Sequence, residues 1–234
     1  MQPHHIVLTL TLLAVATTAS AASYQTDTFL SQDDAAGYLD EPRGFDTDKD
    51  NIYVLDTINN RLEKVKEDGS LERVAGSGEY GYKNASALDA QFAEPQDIAV
   101  FGDNAEQIFI ADTNNNVIRK LENGIVSTFL AGLSGPKGVV VEGDTVFISD
   151  TGNNRILGIS RAGGATTEFA TGLSAPTKLL YWPDARSIIF VNSGEGTVRA
   201  VNVSTGVVSA HLISDLEDIG GLFLQKRNLF VTSS

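Results

Sequence analysis

Four stretches of the chain repeat one pattern at intervals of about forty residues, and this periodicity limits the fold more than any other feature. Pro42-Arg-Gly-Phe45 leads to Ile52-Tyr-Val-Leu-Asp56-Thr-Ile-Asn-Asn-Arg61. Pro95-Gln-Asp-Ile98 leads to Ile108-Phe-Ile-Ala-Asp112-Thr-Asn-Asn-Asn116. Pro136-Lys-Gly-Val139 leads to Val146-Phe-Ile-Ser-Asp150-Thr-Gly-Asn-Asn-Arg155. Pro176-Thr-Lys-Leu179 leads to Ile188-Ile-Phe-Val-Asn192-Ser-Gly. The prolines lie 53, 41 and 40 residues apart, and the first interval is long because Gly76 to Glu94 is inserted. A fifth copy begins near Ile219 and runs through Leu229-Phe-Val-Thr-Ser233.

Each unit reads as four short strands. In the third, Gly138–Val141, Thr145–Ser149, Arg155–Ile159 and Thr166–Ala170 are β-branched or alternating runs cut by Glu142-Gly-Asp, Asp150–Asn154 and Ser160–Gly164. Twenty-two glycines against six prolines suit many tight turns, and after the first residues no 3.6-residue apolar period persists over helix length. A four-stranded unit cannot bury two apolar faces alone, so units of this length stack radially as the blades of an all-β propeller.

The motif Pro-x-Gly-Φ followed by Φ-Φ-Φ-x-Asp-Thr-x-Asn-Asn-Arg-Φ, with Φ apolar, resembles the NHL repeat family. It is nearly intact at 42–62 and 136–156. At 95–118 it is altered, Val117 standing for the arginine, and at 176–198 it is degraded, Asn192 standing for the aspartate. The resemblance implies a six-bladed NHL-type β-propeller, of which the chain supplies four full blades and part of a fifth. Thr26 to Ser31 is similar to Val126–Ala131, a fourth strand, and is expected to complete the blade that the C-terminal copy begins; with no third strand before Ser234, the ring reads as incomplete.

Residues 1–22 stand apart. They hold no Asp, Glu, Lys or Arg, and Ile6–Ala16 is apolar but for two threonines, too short to span a bilayer. Ala19-Ser20-Ala21 is a small-x-small cleavage pattern, so the segment reads as a secretory signal peptide, with His4, His5 and the amino terminus its only positive groups. The domain is then 23–234, placed outside the cell. Its formal charge of −13 repels nucleic acid backbones and anionic lipid. No cysteine is present, so the core alone must hold the fold.

Site readings follow the repeat. Asp56, Asp112 and Asp150, with Asn59, Asn60, Asn115, Asn116, Asn153 and Asn154, sit between second and third strands, where Asp and Thr can accept N–H bonds two residues on and Asn tolerates left-handed backbone; they are expected to brace turns. Asp46-Thr-Asp48-Lys-Asp50-Asn51 is similar to the start of a calcium loop, but its twelfth position is Thr57, so it reads as a hairpin turn. The insertion, with Tyr80 and Tyr82, is the candidate contact loop. Asn84-Ala-Ser and Asn202-Val-Ser are glycosylation acceptors in a host that glycosylates. With no catalytic constellation visible, the chain reads as a secreted scaffold binding an extracellular protein or small molecule. The alternative that the resemblance brings is a calcium-dependent hydrolase or lactonase of the gluconolactonase-like superfamily. Zinc-dependent relatives are not matched: after the leader only His211 remains, too few for a multi-histidine site, and no metal ligands are assigned.

Overall fold

The computed structural model describes residues 39–214, 216, 219–225 and 228–233. The expected leader, 1–22, and the expected closing strand Thr26–Ser31 lie outside the described residues.

The protein is an all-β propeller of four blades and part of a fifth. Blade 1 is β1 (Pro42–Thr47), β2 (Ile52–Asp56), β3 (Arg61–Val65) and β4 (Leu71–Ala75). Blade 2 starts with β5 (Ala85–Ser86), a short strand from the insertion, then β6 (Asp97–Phe101), β7 (Gln107–Asp112), β8 (Val117–Glu122) and β9 (Ile125–Leu130). Blade 3 is β10 (Gly138–Glu142), β11 (Thr145–Asp150), β12 (Arg155–Ser160) and β13 (Thr167–Ala170). Blade 4 is β14 (Pro176–Trp182), β15 (Ser187–Asn192) and β16 (Thr197–Asn202). The last sheet pairs β17 (Ile219–Gln225) with β18 (Asn228–Ser233). Within each blade consecutive strands pair antiparallel, because each is joined to the next by a turn of a few residues, except that β5 pairs with β9 at the edge of blade 2. The only helical pieces among the described residues are three-residue 3-10 turns.

Blade 4 departs from expectation. Where a fourth strand should run, the chain makes isolated bridges, Val198 to Ile213 and Val201 to Val208. Here the Ser209 hydroxyl takes the Ala200 N–H, and its carbonyl is held by the Arg199 guanidinium.

Both faces of each sheet are apolar, and period-two alternation assigns each residue to one neighbour. In β7, Ile108 and Ile110 pack on Tyr53, Leu55 and Leu62 of blade 1, while Phe109 and Ala111 pack on Val146, Ile148 and Leu157 of blade 3. In blade 4, Ile188 and Phe190 meet Phe147 and Ile156, and Ile189 turns to Leu222, Leu229 and Val231 of the last sheet. The core therefore lies between blades, and the first strands β1, β6, β10, β14 and β17 form a row of neighbours around the axis.

Candidate functional site

The repeated turn forms one network, and its bonds differ from those expected. The aspartates do not accept from the N–H two residues on. One oxygen of each takes the N–H of the chain entering the blade: Asp40 N to Asp56, Ala93 N to Asp112, Ser134 N to Asp150, each 2.8 Å. The other oxygen takes the amide of the asparagine three residues on, Asn59, Asn115 or Asn153, and an arginine. The second asparagines, Asn60, Asn116 and Asn154, have φ of 52°, 59° and 56° and accept from the N–H just before the next proline, at Glu94, Gly135 and Ala175. The threonines also bond forward: the hydroxyls of Thr57, Thr113 and Thr151 donate to the carbonyls of Pro95, Pro136 and Pro176 at 2.7–2.8 Å. A carboxylate at the end of a blade's second strand faces the incoming chain, so the motif ties blade to blade as well as bracing its own turn. Blade 4 keeps this with reversed polarity: Asn192 accepts from Ser174 N and donates its amide to the Glu195 carboxylate at 2.7 Å, while Gly196 takes the left-handed position at φ 60°.

The blade 2 arginine is not missing. Arg119 lies two residues beyond Val117, on the same side of β8, and its Nη1 reaches Asp112 at 2.9 Å. Both side chains are 0% exposed, whereas the Arg61 and Arg155 partners of Asp56 and Asp150 are partly open. Burial pushes the Asp112 carboxyl above its ordinary range, and the bonds from Asn115, Ala93 N–H and Arg119 oppose it.

Arg119 also organises the insertion. Its Nη1 donates to the Gln91 carbonyl, and its Nη2 donates to the Lys83 carbonyl and Asn84 Oδ1, all at 2.8 Å. The guanidinium carbon lies 5.0 Å from the Tyr82 ring centre and 5.3 Å from that of Phe92. The Asn115 amide adds a bond to the Gly81 carbonyl, and β5 pairs with β9, so residues 76–94 form a knob wedged between blades 1 and 2 with Ala90, Phe92 and Ala93 fully buried. Tyr80 and Tyr82 stay 62% and 53% exposed on this knob. Asn84 is exposed, but its carboxamide is engaged by Arg119 and the Thr128 hydroxyl, which also meets Tyr82. Asn202 uses its side-chain oxygen to accept from Ser204 N and Thr205 N in a hairpin turn.

At the axis, the glycine of Pro-x-Gly marks backbone contact between neighbouring first strands. A Cβ on Gly44 would stand 2.7 Å from Asp97 Cα, and one on Gly138 would stand 2.2 Å from the Thr177 carbonyl. Blades 2 and 4 carry Asp97 and Lys178 at that position, and the two meet: Lys178 Nζ donates to Asp97 Oδ1 at 2.8 Å and to the Arg43 carbonyl at 2.9 Å, while Asp97 Oδ2 accepts from Val139 N. One ion pair thus joins β1, β6, β10 and β14. Burial pushes the Asp97 carboxyl up, and the Lys178 ammonium acts against it. The sequence showed both departures from glycine but not that they are partners.

The Asp46–Asn51 segment is a hairpin turn in which Asp48 accepts from Asp50 N, Asn51 N and the Tyr53 hydroxyl. Burial and Asp48 push that hydroxyl up to about 12. Asp46 instead points to blade 2 and accepts from Val100 N. Among the described residues no three His, Cys, Asp or Glu side chains gather as a metal site, and His211 is exposed, 3.8 Å from Glu195.

No protein-family model matches the sequence. A stretch of 74 residues is 35% identical to the protein SUPPRESSOR OF QUENCHING 1, chloroplastic, of Arabidopsis thaliana, covering 30% of this chain and 7% of that protein. The fold is similar to that in the crystal structure of a nidogen/laminin complex, with a TM-score of 0.67 and 16% identity over 82% of this chain and 72% of the other. It is also similar to virginiamycin B lyase from Staphylococcus aureus, solved with quinupristin, with a TM-score of 0.63 and 18% identity over 82% of this chain and 62% of the lyase. At such identities the likeness is one of fold. The chain thus spans less than a tenth of the plant relative and under two thirds of the lyase.

Proposed function

We propose that this protein is a secreted, NHL-type propeller that serves as a protein-binding scaffold, with the 76–94 knob as its contact element. The carrying observation is the pairing of two exposed tyrosines with a fully buried anchor, Arg119, that holds the segment bearing them. A rigid backbone presenting tyrosines loses little conformational entropy on association, which is what an interface anchor requires. The nidogen likeness supports the reading, since that propeller was solved in a protein complex. The NHL assignment rests on the repeated motif, and secretion rests on the 1–22 leader.

The test is comparative. The wild-type protein and a Tyr80→Ala, Tyr82→Ala double variant, shown equally folded by circular dichroism, are immobilised and exposed to the same secreted proteins. Proteins held by the wild type are expected to be lost from the variant. Identical capture by both would overturn the reading.

A further inference from the structure

The seams between blades share one construction. Each holds an apolar residue that comes just before the N–H bonded by the motif aspartate or asparagine: Phe92, Leu133 and Leu173 lie in the seams before blades 2, 3 and 4. Each also takes the last two residues of the preceding blade's fourth strand: Val74-Ala75 of β4, Phe129-Leu130 of β9 and Phe169-Ala170 of β13.

Blade 1 carries the receiving half of such a seam on its face away from blade 2. Leu39 stands just before Asp40, whose N–H bonds Asp56. Phe45 and Ile52, whose counterparts Ile98 and Ile108 are buried between blades 1 and 2, are 54% and 39% exposed. Val54 and Val65 share that face, since Val54 lies two residues from Ile52 and Val65 pairs with Ile52 across the sheet. These two are only 4% and 8% exposed, and Glu63, paired with Val54, is buried beside them. Water should reach the middle of a bare sheet face, yet neither valine belongs to an apolar cluster among the described residues. The face is thus shielded over its second and third strands and open at Phe45, on the strand nearest the axis.

Thr26–Ser31 aligns with Val126–Ala131 around a shared Thr-Phe-Leu, which puts Phe29-Leu30 in the places of Phe129-Leu130. Nine residues lead from Leu30 to Leu39, a reach of about 30 Å when extended, so the tether permits a return along blade 1. We infer that Phe29 and Leu30 dock on this face of blade 1, over Val54 and Val65, and supply the half-seam that blades 2, 3 and 4 receive from their predecessors.

The chain has no cysteine, so a single introduced thiol reports the cover. Val65→Cys is placed in the full chain and in the full chain carrying Phe29→Ser and Leu30→Ser, and its reaction with a maleimide is timed at several protein concentrations. Val146→Cys, in the seam before blade 3, is the control. Loss of the pair should speed labelling of Val65→Cys about tenfold or more, the equivalent of one buried apolar side chain, and leave Val146→Cys unchanged.

Unchanged labelling of Val65→Cys would overturn the inference. So would labelling that slows with protein concentration and ignores Phe29 and Leu30, which would make a second copy of the chain the cover. Equal acceleration of both thiols would overturn it as well, because the pair would then support the whole fold and not this face. None of these results bears on the 76–94 knob, so the scaffold reading stands or falls separately.

Discussion

At the residue scale the decisive group is Arg119. It is fully buried, bonds one carboxylate, two carbonyls and one carboxamide oxygen, and lies beside two rings. Removing one partner of a buried ion pair costs about 3–5 kcal/mol, because the other charge stays buried without compensation. Arg119→Met should therefore lower unfolding free energy by about that amount in urea titration, and amide exchange should speed up selectively at residues 76–94. Arg155→Met should cost less, since its side chain is 29% exposed and Asp150 keeps the Ser134 N–H and the Asn153 amide. Equal losses in the two variants would refute this. The sequence hid Arg119 because the repeat places the arginine directly after Asn-Asn, and blade 2 has Val117 there. A strand returns to the same side after two residues, so 119 reaches the same carboxylate by a longer route. Period two was the signal that could have found it.

At the scale of elements, the blades were legible and the joints between them were not. Four runs in the third repeat, with turn residues at fixed offsets, place the strands of blade 3 within one residue, because local alternation and turn chemistry determine them. The forward bonds from Thr57, Thr113 and Thr151 span 38, 23 and 25 residues, and no local rule reads them. The same holds for the knob, which sequence reading treats as a loop, yet which buries Phe92 and adds β5 to blade 2. Thr113→Val keeps the side-chain shape and strips the Pro136 carbonyl of its hydroxyl donor, which should cost about 1–3 kcal/mol. Because the three threonines serve three different blade junctions, the triple valine variant should lose close to the sum of the single losses. The check is denaturant midpoints at unchanged m-value. A triple variant no weaker than one single variant would mean that the bonds do not hold the junctions.

At the scale of the whole molecule, the question is what keeps radial sheets in a ring when each touches only its neighbours. The Asp97–Lys178 pair is a contact that skips a neighbour, linking blade 4 to blades 1 and 2 across the axis. Its two residues replace glycine at one repeat position and were visible as departures from the motif. Their meeting depends on the curvature of the assembled ring, which no single repeat encodes. The Asp97 carboxyl is raised by burial, so its protonation favours the folded state: that contribution is full below the unfolded value of 3.8 and disappears as pH rises through the folded value. In the wild type the ammonium limits this effect. In Lys178→Met only the backbone N–H bonds from Val139 and Ile98 still limit it, and the buried carboxylate must either stay charged without a cation or take a proton. Where it stays charged, the variant should lose about 3–5 kcal/mol relative to wild type. As pH falls the proton takes the place of the lysine and the loss should shrink. Asp97→Asn combined with Lys178→Met should show no such pH-dependent recovery, since its amide does not titrate. Melting temperatures of the three proteins at descending pH decide the matter: a Lys178→Met deficit that stays constant with pH would show that Asp97 is not the charge the lysine neutralises, and that the blades are held together by the apolar seams alone.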